Sequence, residues 1–147
     1  MDRKKQKNLF VNGPIQPEVI ADSIGKHSHK KEIGAHSIFL GQVRADQIKD
    51  QHISSITFSA HVDMANDVYA KIREAAFARF DLICAHVYHS IGSIRTGELC
   101  FFVFTSSQRR KMAIEACNFF VEEIKRDVPI FGQEFFESGE SKWKVNS

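Results

Sequence analysis

The run Thr105-Ser-Ser-Gln-Arg-Arg-Lys111 sets three cations, Arg109, Arg110 and Lys111, between a strongly apolar stretch and the start of a helical pattern. Positive charge at a helix N-terminus opposes the helix dipole, at about 0.3–1 kcal/mol per exposed group. A bound anion would offset that cost. Free amides of a first helical turn and planar guanidinium forks together make a phosphate or carboxylate site. The plain alternative is a solvated turn neutralised by counterions or nearby carboxylates. Arg44 is a second candidate, because it directly follows an apolar run and can project from a rigid strand end into a cleft. Lys125 is a third, near the far end of the same helical pattern, where a lysine also simply complements the dipole. Arg110 and Lys125 lie about 22 Å apart along one helix at 1.5 Å per residue. One helix cannot bring both to a small substrate, so either the bound molecule is extended or a second subunit completes the site.

The other reactive residue types argue for less. Cys84, Cys100 and Cys117 form no CxxC pair and each sits in an apolar run, the pattern of reduced core thiols in a cytosolic protein. His27 and His29 stand two apart in the run His27 to Glu32, but no further ligands lie at metal-site spacing, so a solvated loop without a metal is expected. A net charge of +2 is too small to argue for nucleic acid, and the basic cluster is too short to change that. Met1 to Asn8 is basic and polar with no apolar stretch behind it, unlike a secretion signal. No window approaches the roughly 20 apolar residues of a membrane helix. The cytoplasm is the expected compartment.

A length of 147 residues suits one domain, with 13 phenylalanines to fill its core. Residues 1–8 read as a flexible basic tail and 9–147 as a single domain. A short helix is expected over 17–26 and a strand over 35–43. Ile53 to His61 alternates as a half-buried strand does. Met64, Val68, Ile72, Ala76 and Phe80 recur every four residues, with Asp63 positioned to cap, which predicts an amphipathic helix. Leu82 to Ile91 is strand-like, Gly92 and Gly97 mark a loop, and Leu99 to Thr105 is an apolar central strand. Ser107 to Lys125 predicts a second long helix burying Ala113, Ala116, Cys117, Phe120 and Ile124. Pro129 disfavours helical geometry at Val128 and so ends it. Ile130 to Phe136 is a last apolar segment before a polar tail around Trp143. These elements predict an α+β fold with a mixed, largely antiparallel sheet and two long helices.

Four stretches, in this order, carry a family resemblance: Gly34-Ala-His-Ser-Ile-Phe-Leu-Gly-Gln-Val-Arg44; His89-Ser-Ile-Gly92 with Gly97-Glu98-Leu99; Thr105 to Ala116; and Ile124-Lys125 through Val128-Pro129 to Glu134. Together they resemble the large, catalytic subunit of molybdopterin synthase, the MoaE family, from about residue 9 to Trp143. The resemblance implies an α/β-hammerhead fold and a homodimer at the centre of a heterotetramer. Its partner is a small ubiquitin-like sulfur-carrier subunit whose C-terminal Gly-Gly thiocarboxylate enters a pocket and delivers sulfur to cyclic pyranopterin monophosphate. It implies no metal and no cofactor, since the carrier's sulfur is the nucleophile. Carried over by position, Gln42, Val43 and Arg44 match the first substrate-contacting stretch, and Arg109 and Arg110 fall where the family usually has a His-Arg pair. Gly132, Gln133 and Glu134 fall in the last substrate-binding stretch. Lys125 matches a lysine tied to sulfur transfer, in the role of stabilising the thiocarboxylate or a developing oxyanion, or of moving a proton.

Two positions depart from the pattern. Arg109 replaces a titrating histidine with a fixed charge. Gly132 stands where the family's second lysine falls, seven residues beyond the first, leaving Lys142 or Lys144 to fold back in its stead. Two readings follow: a sulfur-inserting enzyme subunit, or a weakened homologue that still binds the carrier.

Overall fold

A computed structural model describes residue 6 and residues 8–145. Strand β1 (Phe10–Asn12) leads through Pro14 into helix α1 (Pro17–Lys26), followed by strands β2 (Ala35–Gln42), β3 (Gln47–Ile48) and β4 (Gln51–Ala60). Helix α2 (Val62–Arg79) precedes the paired strands β5 (Leu82–Arg95) and β6 (Leu99–Ser107). Helix α3 (Arg110–Asp127) and strands β7 (Ile130–Phe136) and β8 (Ser141–Trp143) complete the chain. One sheet runs β2-β6-β5-β4-β7-β8, with β1 alongside β5 and β3 alongside β4. Every pairing is antiparallel except β1 with β5. The α+β class and the mixed, largely antiparallel sheet with two long helices are therefore those expected from the sequence.

The sheet is covered on both faces, which explains why β6 is apolar without alternation. Phe101 and Val103 join the core beneath α2 and α3, whereas Phe102 and Phe104 join Ile15 in a smaller core with Ile20 of α1 packed against it. Alternate residues of a strand face opposite ways, so a strand between two helical layers must be apolar throughout.

Several local expectations shift. The α2 stripe is Ala65, Tyr69, Ile72, Arg73, Ala76 and Phe77, while Met64 stays half exposed. A strict four-residue spacing overshoots a 3.6-residue turn by about 40° each time, so it winds off any straight buried face. The α2 cap is His61, whose Nδ1 accepts from the Met64 amide at 3.3 Å, and Asp63 lies in the first turn instead. Gly92 does not open a loop: β5 runs through it to Arg95, with Gly92 at φ +97° opposite Phe58 of β4. The polar tail contributes a strand, β8, held to β7 by its ladder.

Helix α3 begins at Arg110, not Ser107, whose hydroxyl donates instead to the Asp81 carbonyl at 2.5 Å. It stops as expected: Val128, before Pro129, is extended at φ −81°, ψ 127°. Of the segment read as a tail, residues 1–5 and 7 lie outside the described residues. Gln6 is hydrogen-bonded to Tyr69 Oη and to both backbone groups of Val87, and Asn8 to Asn66. No helix among the described residues is long and apolar enough to cross a membrane.

Candidate functional site

The end of α3 and the strands facing it enclose a cavity of about 480 Å³, within the size range of ligand pockets. Its walls are the last turn of α3 with the turn to Pro129, the first half of β7, and Trp143 with Lys144. Phe58, Phe101, His89 and Cys100 also line it. These residues arrive there for simple reasons. His89 and Phe101 are directly paired across β5 and β6, and Phe58 meets Gly132 across β4 and β7. Pro129 turns the chain back so that β7 passes under the helix end that carries Lys125.

The cavity is cationic above an apolar, aromatic lining. Lys125 and Arg126 come from the last helical turn and Lys144 from the chain beyond β8. Arg126 is engaged by Glu123 at 2.5 Å and by Asp127 at 3.1 Å. The Lys144 amide donates to the Gly132 carbonyl at 2.7 Å, which brings Lys144 directly opposite the glycine. Lys142 instead faces Glu134 at 3.7 Å.

His89 is buried beside these lysines. Its Nδ1 lies 2.8 Å from the Ser90 carbonyl, an acceptor only, so Nδ1 carries the proton. Its ring meets Phe58 edge-on at 5.0 Å. Burial drives its pKa down to about 4, and the charges of Lys125 and Lys144 push the same way against the Ser90 hydrogen bond. At neutral pH it is a neutral imidazole with its lone pair on Nε2. Burial likewise pushes the Cys100 thiol up, with Lys144 and Lys125 opposing, so Cys100 is a protonated thiol. Neither residue stood out as a site residue from its sequence position. A histidine at a core-facing position of an apolar strand was the available signal.

The sequence candidates divide among three places. Lys125 and Gly132 share the cavity. Gln133 donates to the Ser141 hydroxyl at 2.9 Å, and Glu134 is buried at 6% exposure. Gln42 ends β2, while Val43 is 3% exposed and its backbone is clamped by Glu98 and Gly97. Arg44 is exposed and forms two hydrogen bonds to Asp46, which hold the Asp46 carboxyl below its usual range. The charges of Lys144 and Lys142 reach Asp46 as well, so Arg44 belongs to the same flank of the sheet as the cavity. Arg109 and Arg110 are apart from all of these. They line a shallow depression with Gly34, Gln108 and Lys111 at the opposite end of α3. No side chain caps that helix end and no acidic residue lies in its first turn, so the unfavourable charge placement read from the sequence is real. The depression depends on Gly34: a Cβ there would stand 2.0 Å from the Gln108 carbonyl oxygen.

Fold and pocket define an α+β protein with a lysine-lined slot at one end of its long helix and an arginine pair at the other. The family described as MoaE protein matches residues 11–127. The molybdopterin synthase catalytic subunit of Pyrococcus abyssi is 35% identical over 107 residues, covering 73% of this chain and 72% of that one. The Arabidopsis thaliana catalytic subunit is 31% identical over 116 residues, and the match spans 79% of this chain but 58% of that longer one. Among solved structures, molybdopterin synthase from Staphylococcus aureus superposes with a TM-score of 0.82 at 26% identity, over 95% of this chain and 98% of that one. A Helicobacter pylori complex of subunits 1 and 2 of molybdopterin-converting factor has the same fold, with a TM-score of 0.76 at 19% identity over 91% and 87% of the chains.

The chain belongs to the MoaE protein family. It is an enzyme subunit of the molybdopterin synthase type, and its function lies in molybdenum cofactor biosynthesis.

Proposed function

We propose that this chain transfers sulfur from the C-terminal thiocarboxylate of a small ubiquitin-like carrier subunit to cyclic pyranopterin monophosphate, with Lys125 and Lys144 as the two cations of the transfer site. The observation that carries this reading is the cavity at the end of α3. It has an apolar, aromatic lining and ammonium groups from two different elements, which suits a slender peptide tail ending in an anion. Half-exposed Phe131 and Trp143 at the cavity offer apolar surface to the body of the carrier. The Helicobacter pylori relative, solved as a complex of subunits 1 and 2, supports a two-protein assembly.

In this reading the thiocarboxylate sulfur attacks a carbon of the precursor and displaces an oxygen there. Water then cleaves the resulting thioester, returning the carrier as a carboxylate and leaving sulfur on the pterin. The Lys125 ammonium steadies the thiocarboxylate charge in the first step and the oxyanion at the acyl carbon in the second. Lys144 supplies the second positive charge from the chain just beyond β8, opposite Gly132. His89 Nε2, neutral and held by the Ser90 carbonyl, offers a hydrogen-bond acceptor at the cavity wall. Arg44 binds phosphate or pterin edges through its planar fork, and Gln42, Gln133 and Glu134 shape the same flank. Arg109 and Arg110 take the substrate's phosphate at a site completed by a second copy, since α3 separates them from Lys125 within one chain. A homodimer within a heterotetramer follows from that division. The reading includes a cytoplasmic location, to which three buried, unbridged cysteines are suited.

The test mixes purified protein with thiocarboxylated carrier and cyclic pyranopterin monophosphate and measures molybdopterin. Product is expected, falling by about 10²–10³-fold in Lys125→Ala, the usual size for loss of one oxyanion-stabilising group. Absence of product beside a working control enzyme would overturn the proposal. Gly132 at the position of the family's second lysine motivates the other reading, a carrier-binding module, and tight carrier binding without turnover would establish it.

A further inference from the structure

On the face of the sheet away from the cavity, three side chains converge from two elements distant in sequence. Cys84 and His86 stand at i and i+2 on β5 and point the same way. His27 caps the C-terminus of α1 and reaches back over them. The expectation of a solvated loop fails at this residue: His27 is only 8% exposed, and Cys84 is fully buried. The His27 and His86 Nε2 atoms are 3.1 Å apart, and all three ligand atoms lie within 4.8 Å of one another.

The tautomer of His27 is set by its surroundings. Its Nδ1 sits 2.6 Å from the Ser23 carbonyl oxygen, which can only accept, so Nδ1 carries the proton and the lone pair of the neutral ring is on Nε2. That lone pair accepts from His86 Nε2–H at 3.1 Å, and His86 takes its other tautomer, with the proton on Nδ1, when Nε2 binds a cation. A backbone carbonyl holding the far nitrogen of a histidine is the outer-shell arrangement that orients imidazole ligands toward metals. Phe104 packs against the rings of His27 at 5.0 Å and His86 at 6.2 Å, giving the cluster an apolar backing.

We infer that His27, Cys84 and His86 form a binding site for a borderline-soft divalent transition cation, Zn²⁺ above all, which ties the end of α1 to β5. Two imidazoles and a thiolate without a carboxylate favour such an ion over magnesium or calcium. Around a tetrahedral zinc, nitrogen ligands stand about 3.3 Å apart and nitrogen and sulfur about 3.6 Å apart, from bond lengths near 2.0–2.1 and 2.3 Å. The two nitrogens already have that spacing. The sulfur has at most about 1.2 Å to close, within the range of a cysteine side-chain rotation. Cys84 binds as the thiolate, its proton passing to solvent. The Lys30 ammonium, which donates to Cys84 Sγ at 3.0 Å, moves aside on a half-buried, flexible stem. Three protein ligands leave the fourth tetrahedral position to water.

Cys84 and His86 face α1, whereas His89 faces the cavity from the other side of the same strand. The ion site is therefore separate from sulfur transfer and stands or falls independently of it.

The test uses the untagged full-length chain, stripped with chelator and titrated with Co²⁺ as a coloured stand-in for Zn²⁺, followed by competition with Zn²⁺. One Co²⁺ per chain is expected, with a sulfur-to-cobalt charge-transfer band and the intense visible bands of tetrahedral cobalt, both removed by Zn²⁺. Cys84→Ala should abolish the charge-transfer band. His86→Ala should weaken binding by about 100-fold or more, beyond the 10–100-fold typical of losing an outer-shell partner. His29→Ala, altering an exposed neighbour on the loop, should leave the spectrum unchanged. Circular dichroism of the metal-free variants checks that each is folded. Absence of saturable binding, a spectrum indifferent to both Cys84→Ala and His86→Ala in folded protein, or its loss in His29→Ala would overturn the inference.

Discussion

The Lys144 amide donates a 2.7 Å hydrogen bond to the Gly132 carbonyl, and a Cβ built on Gly132 would stand 3.6 Å from the Lys144 Cβ. A lysine thus borders the place where the family pattern has one, reached from the chain just beyond β8 rather than from β7 itself. Twelve residues of sequence separate the two positions; one strand spacing separates them in the fold.

Replacing Lys144 with alanine should therefore lower molybdopterin formation by about 10²-fold, the usual scale for one positioned charge or proton donor. Lys142→Ala, which loses a 3.7 Å pairing with buried Glu134, should lower the rate by less than about threefold, since Lys142 does not line the cavity and its charge is not among those that stabilise the reacting groups. Steady-state rates of the two variants, side by side, decide the matter. Equal effects would remove Lys144 from the site.

In the Lys144→Ala background, Gly132→Lys should restore part of the lost rate. The new Cβ would meet Ile56 Cγ2 at 3.1 Å and Phe58 Cε1 at 3.4 Å, close enough to require a small shift of side chains. A stability loss of about 1 kcal/mol, at the low end of overpacking costs, should accompany the gain in activity. Urea melts and rate measurements on the same preparations test both halves.

His89 should make the fold acid-sensitive. Its pKa, about 4 in the folded chain against 6.5 for the free group, means that the unfolded chain binds the proton more readily. Stability is then complete above about pH 6.5, declines as pH falls, and levels off below about 4. The full difference is about 3 kcal/mol. Denaturant midpoints from pH 7.5 to 4 should show a steeper decline for the parent chain than for His89→Gln. Parallel curves would mean that His89 is not buried neutral.

Gly34→Ala should be among the more damaging single changes, for a reason of space alone. The added methyl would collide with the Gln108 carbonyl oxygen at 2.0 Å, a backbone atom that cannot swing aside. Overpacking of this kind costs about 1–3 kcal/mol. Since Gln108 leads directly into Arg109 and Arg110, affinity for a phosphate-bearing ligand should fall with stability. Thermal melts and equilibrium binding measure the two effects, and an unchanged melt would show that the approach relaxes freely.

Most elements were legible in the sequence because each is specified by local chemistry. Pro129 ends α3 through its effect on Val128, the apolar run of β6 announces a strand covered on both faces, and the buried stripe of α3 follows helical spacing. The resemblance in segment order was legible for the same reason. Shorter-range competition blurred the rest. His61 took the cap that the sequence pattern assigned to Asp63, and a four-residue rhythm in α2 disguised a stripe beginning one residue later. Strand β8 carries too little apolar character to declare itself and exists through its ladder to β7.

Charge and chemistry at single positions were the sequence's own contribution: cations at Arg44, Arg109, Arg110 and Lys125, a glycine at 132, and an α3 too long for one small ligand to bridge. Company was decided only by tertiary structure. Strand pairing set Lys144 against Gly132 and buried His89 beside two lysines, while the packing of α1 on the sheet brought His27 to Cys84 and His86. Such meetings depend on register and layer packing between segments up to about sixty residues apart, and no local propensity encodes them.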